Sequence, residues 1–261
     1  MIISVNITKG GCGKTTTVQA LAEIFGKIYG KKVLCCDTDP QCNLTTVSGV
    51  NIMDCQKNNL YTLLKNQSTP SECIVKTKYY DIIPSSLLLA YADVEFNVLG
   101  REFILKEKLE PLDYDIILID TPPALGLLNI MSLTASDKLI IPTECSYLAM
   151  IGLDQLFDTI QSVRKHSNTT LDLLGILLVK YNSRANLNIA ISNSLERIAA
   201  QRNTRVFSSK IRETVKIREA QSQQEPLLDW DSSCSAVSDY LELAQNIVCL
   251  LYTSDAADEA R

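Results

Sequence analysis

The sequence contains one histidine, His166, among 261 residues, and no cysteine pair spaced C-x-x-C. A His-based catalytic triad or zinc cluster therefore has no material to build on. Nine cysteines are present, but Cys35 and Cys36 are adjacent in an apolar run, which suits free buried thiols in a reducing compartment better than a disulfide framework. Long apolar runs are missing too, since the longest candidates are broken by Asp, Lys or Pro before they could span a bilayer. The chain is strand-like from Ile2, Ile3, Val5 and Ile7 onward, which leaves no room for a signal peptide and predicts a cytoplasmic protein. Nor is there a net positive charge. The formal charge is −5, so any contact with nucleic acid has to come from a local patch. No repeat, low-complexity block or Gly/Pro/Ser-rich linker divides the chain, and a composition of 46% hydrophobic and 21% charged residues predicts one globular domain.

What is present is an alternation of apolar strands and helical patterns. Strands are expected at Ile2–Ile7, Lys32–Cys36, Asp81–Pro84, Ile116–Ile119, Lys138–Pro142 and Leu173–Val179. Helices are expected at Lys14–Tyr29, closed by Gly30, and at Leu153–Lys165, Leu187–Gln201 and Ala236–Val248, with shorter helical stretches before Glu110. Continuous apolar strands separated by helices predict an α/β fold, a mostly parallel sheet with helices on both faces. Ligands bind such sheets at the carboxyl ends of the strands, here marked by Thr8, Asp37 and Asp120. The last residues stand apart. Cys249 to Glu259 resembles the translation of a transposase adapter used in preparing sequencing libraries, so residues 1–248 are read as the domain and 249–261 as a non-native tail. Without Asp255, Asp258, Glu259 and Arg261 the negative charge shrinks by two.

The clearest chemistry lies between the first strand and the first helix, in Lys9-Gly10-Gly11-Cys12-Gly13-Lys14-Thr15-Thr16. Polyphosphate is strongly anionic, and a turn built on Gly10, Gly11 and Gly13 can aim backbone N–H groups inward with no Cβ in the way. The helix beginning at Lys14 adds the positive end of its dipole. Lys14 can reach the β- and γ-phosphates, Thr15 can ligate Mg²⁺ and Thr16 can bond a phosphate oxygen, which makes ATP and Mg²⁺ the expected ligands. The loop departs from G-x-x-x-x-G-K-[ST] by placing Thr8 at the first glycine and a second lysine, Lys9, at the entrance.

Two acidic segments complete the set. Asp37-Thr38-Asp39-Pro40-Gln41-Cys42-Asn43 puts two carboxylates one residue apart at a strand end, suited to positioning water and a magnesium shell or, more plainly, to shaping a turn. Ile116-Ile117-Leu118-Ile119-Asp120-Thr121-Pro122-Pro123 is an apolar strand ending in an acid, the pattern of a Walker B segment.

The loop resembles the deviant Walker A motif of the ParA/MinD family, and Asp37 to Asn43 resembles the ParA switch I motif D-x-D-P-Q-G-N, with Cys42 where the family usually has Gly. Ala135-Ser136-Asp137, Tyr147-Leu148-Ala149, Gly152-Leu153 and Leu177 to Asn182 extend the likeness along nearly the whole chain, in the short, Soj-like form without an N-terminal helix-turn-helix. The resemblance implies an ATPase that forms a homodimer in its ATP state. Lys9 then reaches the partner's phosphates, Asp39 orients the attacking water, Asp37 supports the magnesium site and Asp120 holds Mg²⁺ through a water. It further implies non-specific DNA binding in plasmid or chromosome partitioning, a ParB-like stimulating protein, and a place on the nucleoid.

Between Arg197 and Arg218 seven cations are opposed, within that stretch, only by Glu213. Such a patch can contact phosphates without reading sequence, and the resemblance points to Lys210, Arg212, Lys216 and Arg218 for DNA, with Lys216 foremost. A MinD-like membrane switch is the first alternative; it calls for a basic amphipathic C-terminal helix, and the switch I wording argues against it. A metabolic enzyme of the same fold is the second. An iron–sulfur reductase needs cluster cysteines near switch II, and none lies between Asp120 and Ile141.

Overall fold

The computed structural model describes residues 1–258; the end of the suspected tail, residues 259–261, lies outside the described residues. The apolar runs become strands β1 (Ile2–Val5), β2 (Val33–Asp37), β3 (Val75–Lys76), β4 (Asp81–Ile83), β5 (Ile116–Asp120), β6 (Lys138–Glu144) and β7 (Asp172–Val179). They form one sheet in the order β3-β4-β2-β5-β1-β6-β7. Every pairing is parallel except that of β3 with β4. This is the mainly parallel α/β sheet that the strand patterning predicts. The strands read as unbroken apolar runs because both faces are covered.

The first helix, α1 (Lys14–Lys27), packs on one face together with α2 (Asn43–Val47) and the C-terminal elements. On the other face, α3 (Leu60–Leu64), α4 (Pro70–Cys73), α5 (Ala92–Glu95), α6 (Ile104–Leu109) and α7 (Leu127–Ala135) surround β4, β2 and β5. Helices α8 (Tyr147–His166) and α9 (Asn186–Gln201) cover β6 and β7. The chain then runs through α10 (Val215–Ser222) and α11 (Leu227–Trp230) to α12 (Ser235–Asp258), which lies against α1. Two differences from the sequence reading have simple causes. Helix α7 has almost no polar face, so it offers no 3.6-residue period to detect. Helix α12 continues past Val248 because Leu250 and Leu251 pack against the same core.

The register decides where the chemistry collects. Asp120 at the end of β5 is paired with Asp37 of β2 on one side and with Val5 of β1 on the other. Thr8 to Gly13 leaves β1 beside them. Gly11 (φ 76°) and Gly13 (φ 71°) take the left-handed conformation that lets the loop fold back onto the start of α1.

Candidate active site

A cavity of about 430 Å³ opens at the carboxyl edge of the sheet. The phosphate-binding loop supplies one wall through Gly10, Gly11, Gly13, Lys14, Thr15 and Thr16, and switch I supplies another through Asp39, Gln41 and Asn43. Lys14 is 7% exposed, and its Nζ lies 3.5 Å from the Ile7 carbonyl. Burial lowers its pKa against the opposing pull of Asp120 and Asp39, so an anion in the cavity would restore the ammonium. Cys12 differs from its neighbours in the loop. Its side chain is buried in the core under α8, away from the cavity, and burial raises its thiol pKa.

Asp120 is fully buried and accepts a 2.7 Å hydrogen bond from the Thr15 hydroxyl. Its second oxygen, Oδ1, has no partner, and desolvation followed by the charge of Asp37 pushes its pKa well above the carboxylate range. An orphaned buried carboxylate oxygen beside a threonine hydroxyl is a donor set that fits Mg²⁺.

Asp37 sits one strand away and does something else. Its Oδ2 accepts from the backbone N–H (2.8 Å) and hydroxyl (2.7 Å) of Thr45, and its Oδ1 accepts from the Asp39 N–H at 3.1 Å. Burial lifts its pKa to about 7 despite these bonds. These bonds tie β2 to α2 and hold the turn that follows Asp37. Asp39, 6% exposed, faces the cavity. Its Oδ1 accepts from the Gln41 N–H at 2.9 Å, and its carbonyl accepts from the Ser85 hydroxyl at 2.6 Å. Cys42 keeps the left-handed conformation (φ 54°) that glycine would adopt freely, with its thiol 3.4 Å from the Pro40 carbonyl.

Lys9 is placed outside the cavity. Its Nζ lies 3.2 Å from Glu144 and 3.5 Å from Ser146, and the side chain remains 36% exposed. The carboxylate that offsets a second cation beside Lys14 is thus Glu144, which the loop motif gives no hint of.

The basic segment is divided. Residues 205–212 run parallel to β7, with bridges at Ile176–Val206 and Tyr181–Arg212, so the chain arrives at the cavity mouth. Arg212 and Arg218 line the cavity alongside Glu213, Thr214, Ile217 and Gln221. Arg212 also holds Asp239 through two guanidinium nitrogens, at 2.6 to 3.1 Å. Lys216 pairs with Glu219 at 2.9 Å, and Lys210 lies 4.6 Å from the Tyr181 ring centre and 3.2 Å from Ser192. Glu213 is thus not the only acid opposing this segment; Asp239 and Glu219 come from outside it. The sequence reading also missed Tyr240, which lines the cavity from α12 and lies 3.2 Å from the Thr17 hydroxyl.

Comparisons with known proteins bear on the fold and the family. A family model described as an AAA domain matches residues 1–173. The sporulation initiation inhibitor protein Soj of Bacillus subtilis is 38% identical over 251 residues, covering 94% of this chain and 97% of that protein. The chromosome partitioning protein ParA of Caulobacter vibrioides is 31% identical over 254 residues, covering 95% of this chain and 93% of its own length. Among solved structures, cobyrinic acid a,c-diamide synthase from Mycobacterium smegmatis with bound ATP analog and magnesium matches with a TM-score of 0.82 at 29% identity, covering 95% of this chain and 93% of that one. Since the model spans well over half of the sequence and Soj aligns along nearly all of it, this chain belongs to the ParA/MinD family of P-loop ATPases.

Proposed function

We propose that this ATPase is a partitioning switch: ATP drives it to dimerise, the dimer binds DNA without sequence preference, and hydrolysis releases it. The relatives named for chromosome partitioning support the task, and one observation carries the switch. Two lysines flank the phosphate loop, and they are placed differently. Lys14 is buried inside the cavity, whereas Lys9 stands at its rim with its ammonium near solvent. A rim lysine adds little to a cavity that already holds a cation, but it can neutralise phosphate charge in a second copy, as an arginine finger does.

In this reading the backbone N–H groups of Gly10 to Gly13, with Lys14 and Thr16, bind the phosphate tail. The Thr15 hydroxyl and the Asp120 carboxylate would hold magnesium, which would supply charge neutralisation at the phosphates. Asp39 orients the attacking water, and the Ser85 and Gln41 contacts fix its position. Lys210, Lys216 and the exposed arginines Arg205 and Arg218 supply non-specific phosphate contacts. Arg212 and Arg218 also border the nucleotide cavity, which would let DNA and nucleotide sense one another. A ParB-like protein stimulates hydrolysis, and the working place is the nucleoid. No helix among the described residues is long and apolar enough to cross a membrane.

The likeness to cobyrinic acid a,c-diamide synthase favours a second reading, an ATP-dependent ligase on the same fold. Co-sedimentation with random-sequence DNA and with anionic liposomes, each in ATP and in ADP, separates these readings. Retention on DNA only with ATP is the expected result. Retention on liposomes points to a membrane switch, and retention on neither, with ATP turnover intact, supports the ligase.

A further inference from the structure

Three strand ends meet at Glu144. It is the last residue of β6, paired in register with Val179 of β7, so Lys180 follows directly alongside; on the other flank β6 adjoins β1, from which the loop carrying Lys9 emerges. The Glu144 carboxylate is shared. Lys180 Nζ lies 2.6 Å from Oε1, and Lys9 Nζ lies 3.2 Å from Oε2. Partial burial raises the carboxyl's pKa, but Lys180 and Lys9 outweigh it and hold the group below its usual value. The buried Cys12 side chain packs in the same core cluster as Leu139 and Ile141 of β6. Lys180 also borders the nucleotide cavity.

We propose that Glu144 is the positioning residue for Lys9, parking it on its own subunit, while Lys180 competes for the same carboxylate and keeps that hold weak enough to be broken. The proposal rests on the dimer reading above. One carboxylate facing two ammonium groups binds each less firmly than it would bind one, because the two cations repel. Half-exposed pairs of this kind shift an equilibrium by roughly 1.4- to 5-fold, far less than a multiply charged phosphate tail can exert in a desolvated interface. When Lys9 leaves, Lys180 stays on Oε1. The carboxylate then never stands bare at the mouth of a cavity that has to admit phosphates.

The test reads Lys9 directly, without needing a dimer. An amine-acylating reagent is applied to dilute, nucleotide-free full-length chain, and the rate at Lys9 is followed by peptide mass spectrometry, with Lys31 as internal reference. Glu144→Gln should raise the Lys9 rate about two- to five-fold, and Lys180→Met should lower it. The double variant should behave as Glu144→Gln does. ATP-dependent dimerisation, followed by sedimentation, should tighten in Glu144→Gln and weaken in Lys180→Met, whereas a merely structural role would weaken both. An unchanged Lys9 rate in Glu144→Gln overturns the proposal, as does a rise in Lys180→Met. If Glu144→Gln loosens the whole fold, seen as a rise at Lys31 too, the direction of the Lys180→Met change decides alone. Failure of the wild-type chain to dimerise with ATP would instead count against the dimer reading and leave the acylation result standing.

Discussion

The strand-end cluster around Lys14, Asp37 and Asp120 and the basic stretch of residues 197–218 both gather charge near the same cavity, yet they use it in opposite ways. In the first, the charges are buried, at 7% exposure for Lys14 and none for the two acids, and their partners come from adjoining strand ends and from Thr15 and Thr45, close by in the fold. Burial there shifts every pKa toward the neutral form, which poises the cluster to gain stability from a charged ligand. In the second, the cations are exposed or half-exposed, and several are already engaged by acids or rings from other elements. Buried charge awaiting a ligand makes a specific site, whereas solvated charge with ready substitutes makes a tolerant surface.

Substitutions can sharpen that contrast. The largest effect is expected inside the buried cluster. Asp39→Ala should cut phosphate release by about 10²- to 10⁴-fold while ATP-dependent dimers persist, as read by a phosphate assay and sedimentation. A normal turnover rate would remove Asp39 from the chemistry. On the solvated side, Lys216→Glu should weaken DNA binding evenly across sequences and lower the slope of log affinity against log salt by about 1. Arg218→Glu, at the cavity border, should also weaken ATP binding. If the two variants behave alike, the division of the segment is wrong. Arg212→Ala leaves Asp239, only 8% exposed, without its bidentate partner, and should lower Tm by about 2–4 °C.

A pH-dependent effect concerns Glu23, on α1 behind the loop. Its Oε1 has no partner, its Oε2 accepts from the Leu228 N–H at 3.3 Å, and burial raises its pKa from 4.5 to about 8, with Asp229 adding to the rise and Lys27 opposing it. A raised folded-state pKa means a contribution that is complete below pH 4.5 and lost as pH climbs through 8. Relative to Glu23→Gln, wild type should therefore lose about 2–3 kcal/mol between pH 6 and 9 in denaturant titrations. Parallel curves for the two proteins would mean that Glu23 is ionised throughout.

Much of this was legible in the sequence, for a local reason. The loop's glycines, lysines and threonines lie within eight residues, and the strand and helix around them leave one way to fold, so motif and geometry coincide. The acids could be placed at strand ends, but only the family resemblance, not the residues themselves, gave them tasks. Asp37 is taken up by Thr45, and nothing in Asp-x-Asp-Pro-Gln distinguishes the acid that faces the cavity from the one that braces the turn. The basic stretch was the least legible part. Its path along the β7 edge depends on a parallel bridge that leaves no periodic signal, and its partner Asp239 lies 27 residues beyond Arg212. Edge strand β3 has two residues, too few for an alternating pattern to register.

Tyr240 carries a consequence for how the protein is made. The phosphate loop is among the first segments to leave the ribosome, yet Tyr240, which walls the cavity and meets Thr17, follows 223 residues later. At ~5–20 residues per second that gap lasts roughly 10–45 s. Throughout it, a nascent chain carries an unfinished pocket with no back wall. A chain cut short before its C-terminal helix would therefore display the phosphate loop beside a cavity that lacks one of its walls.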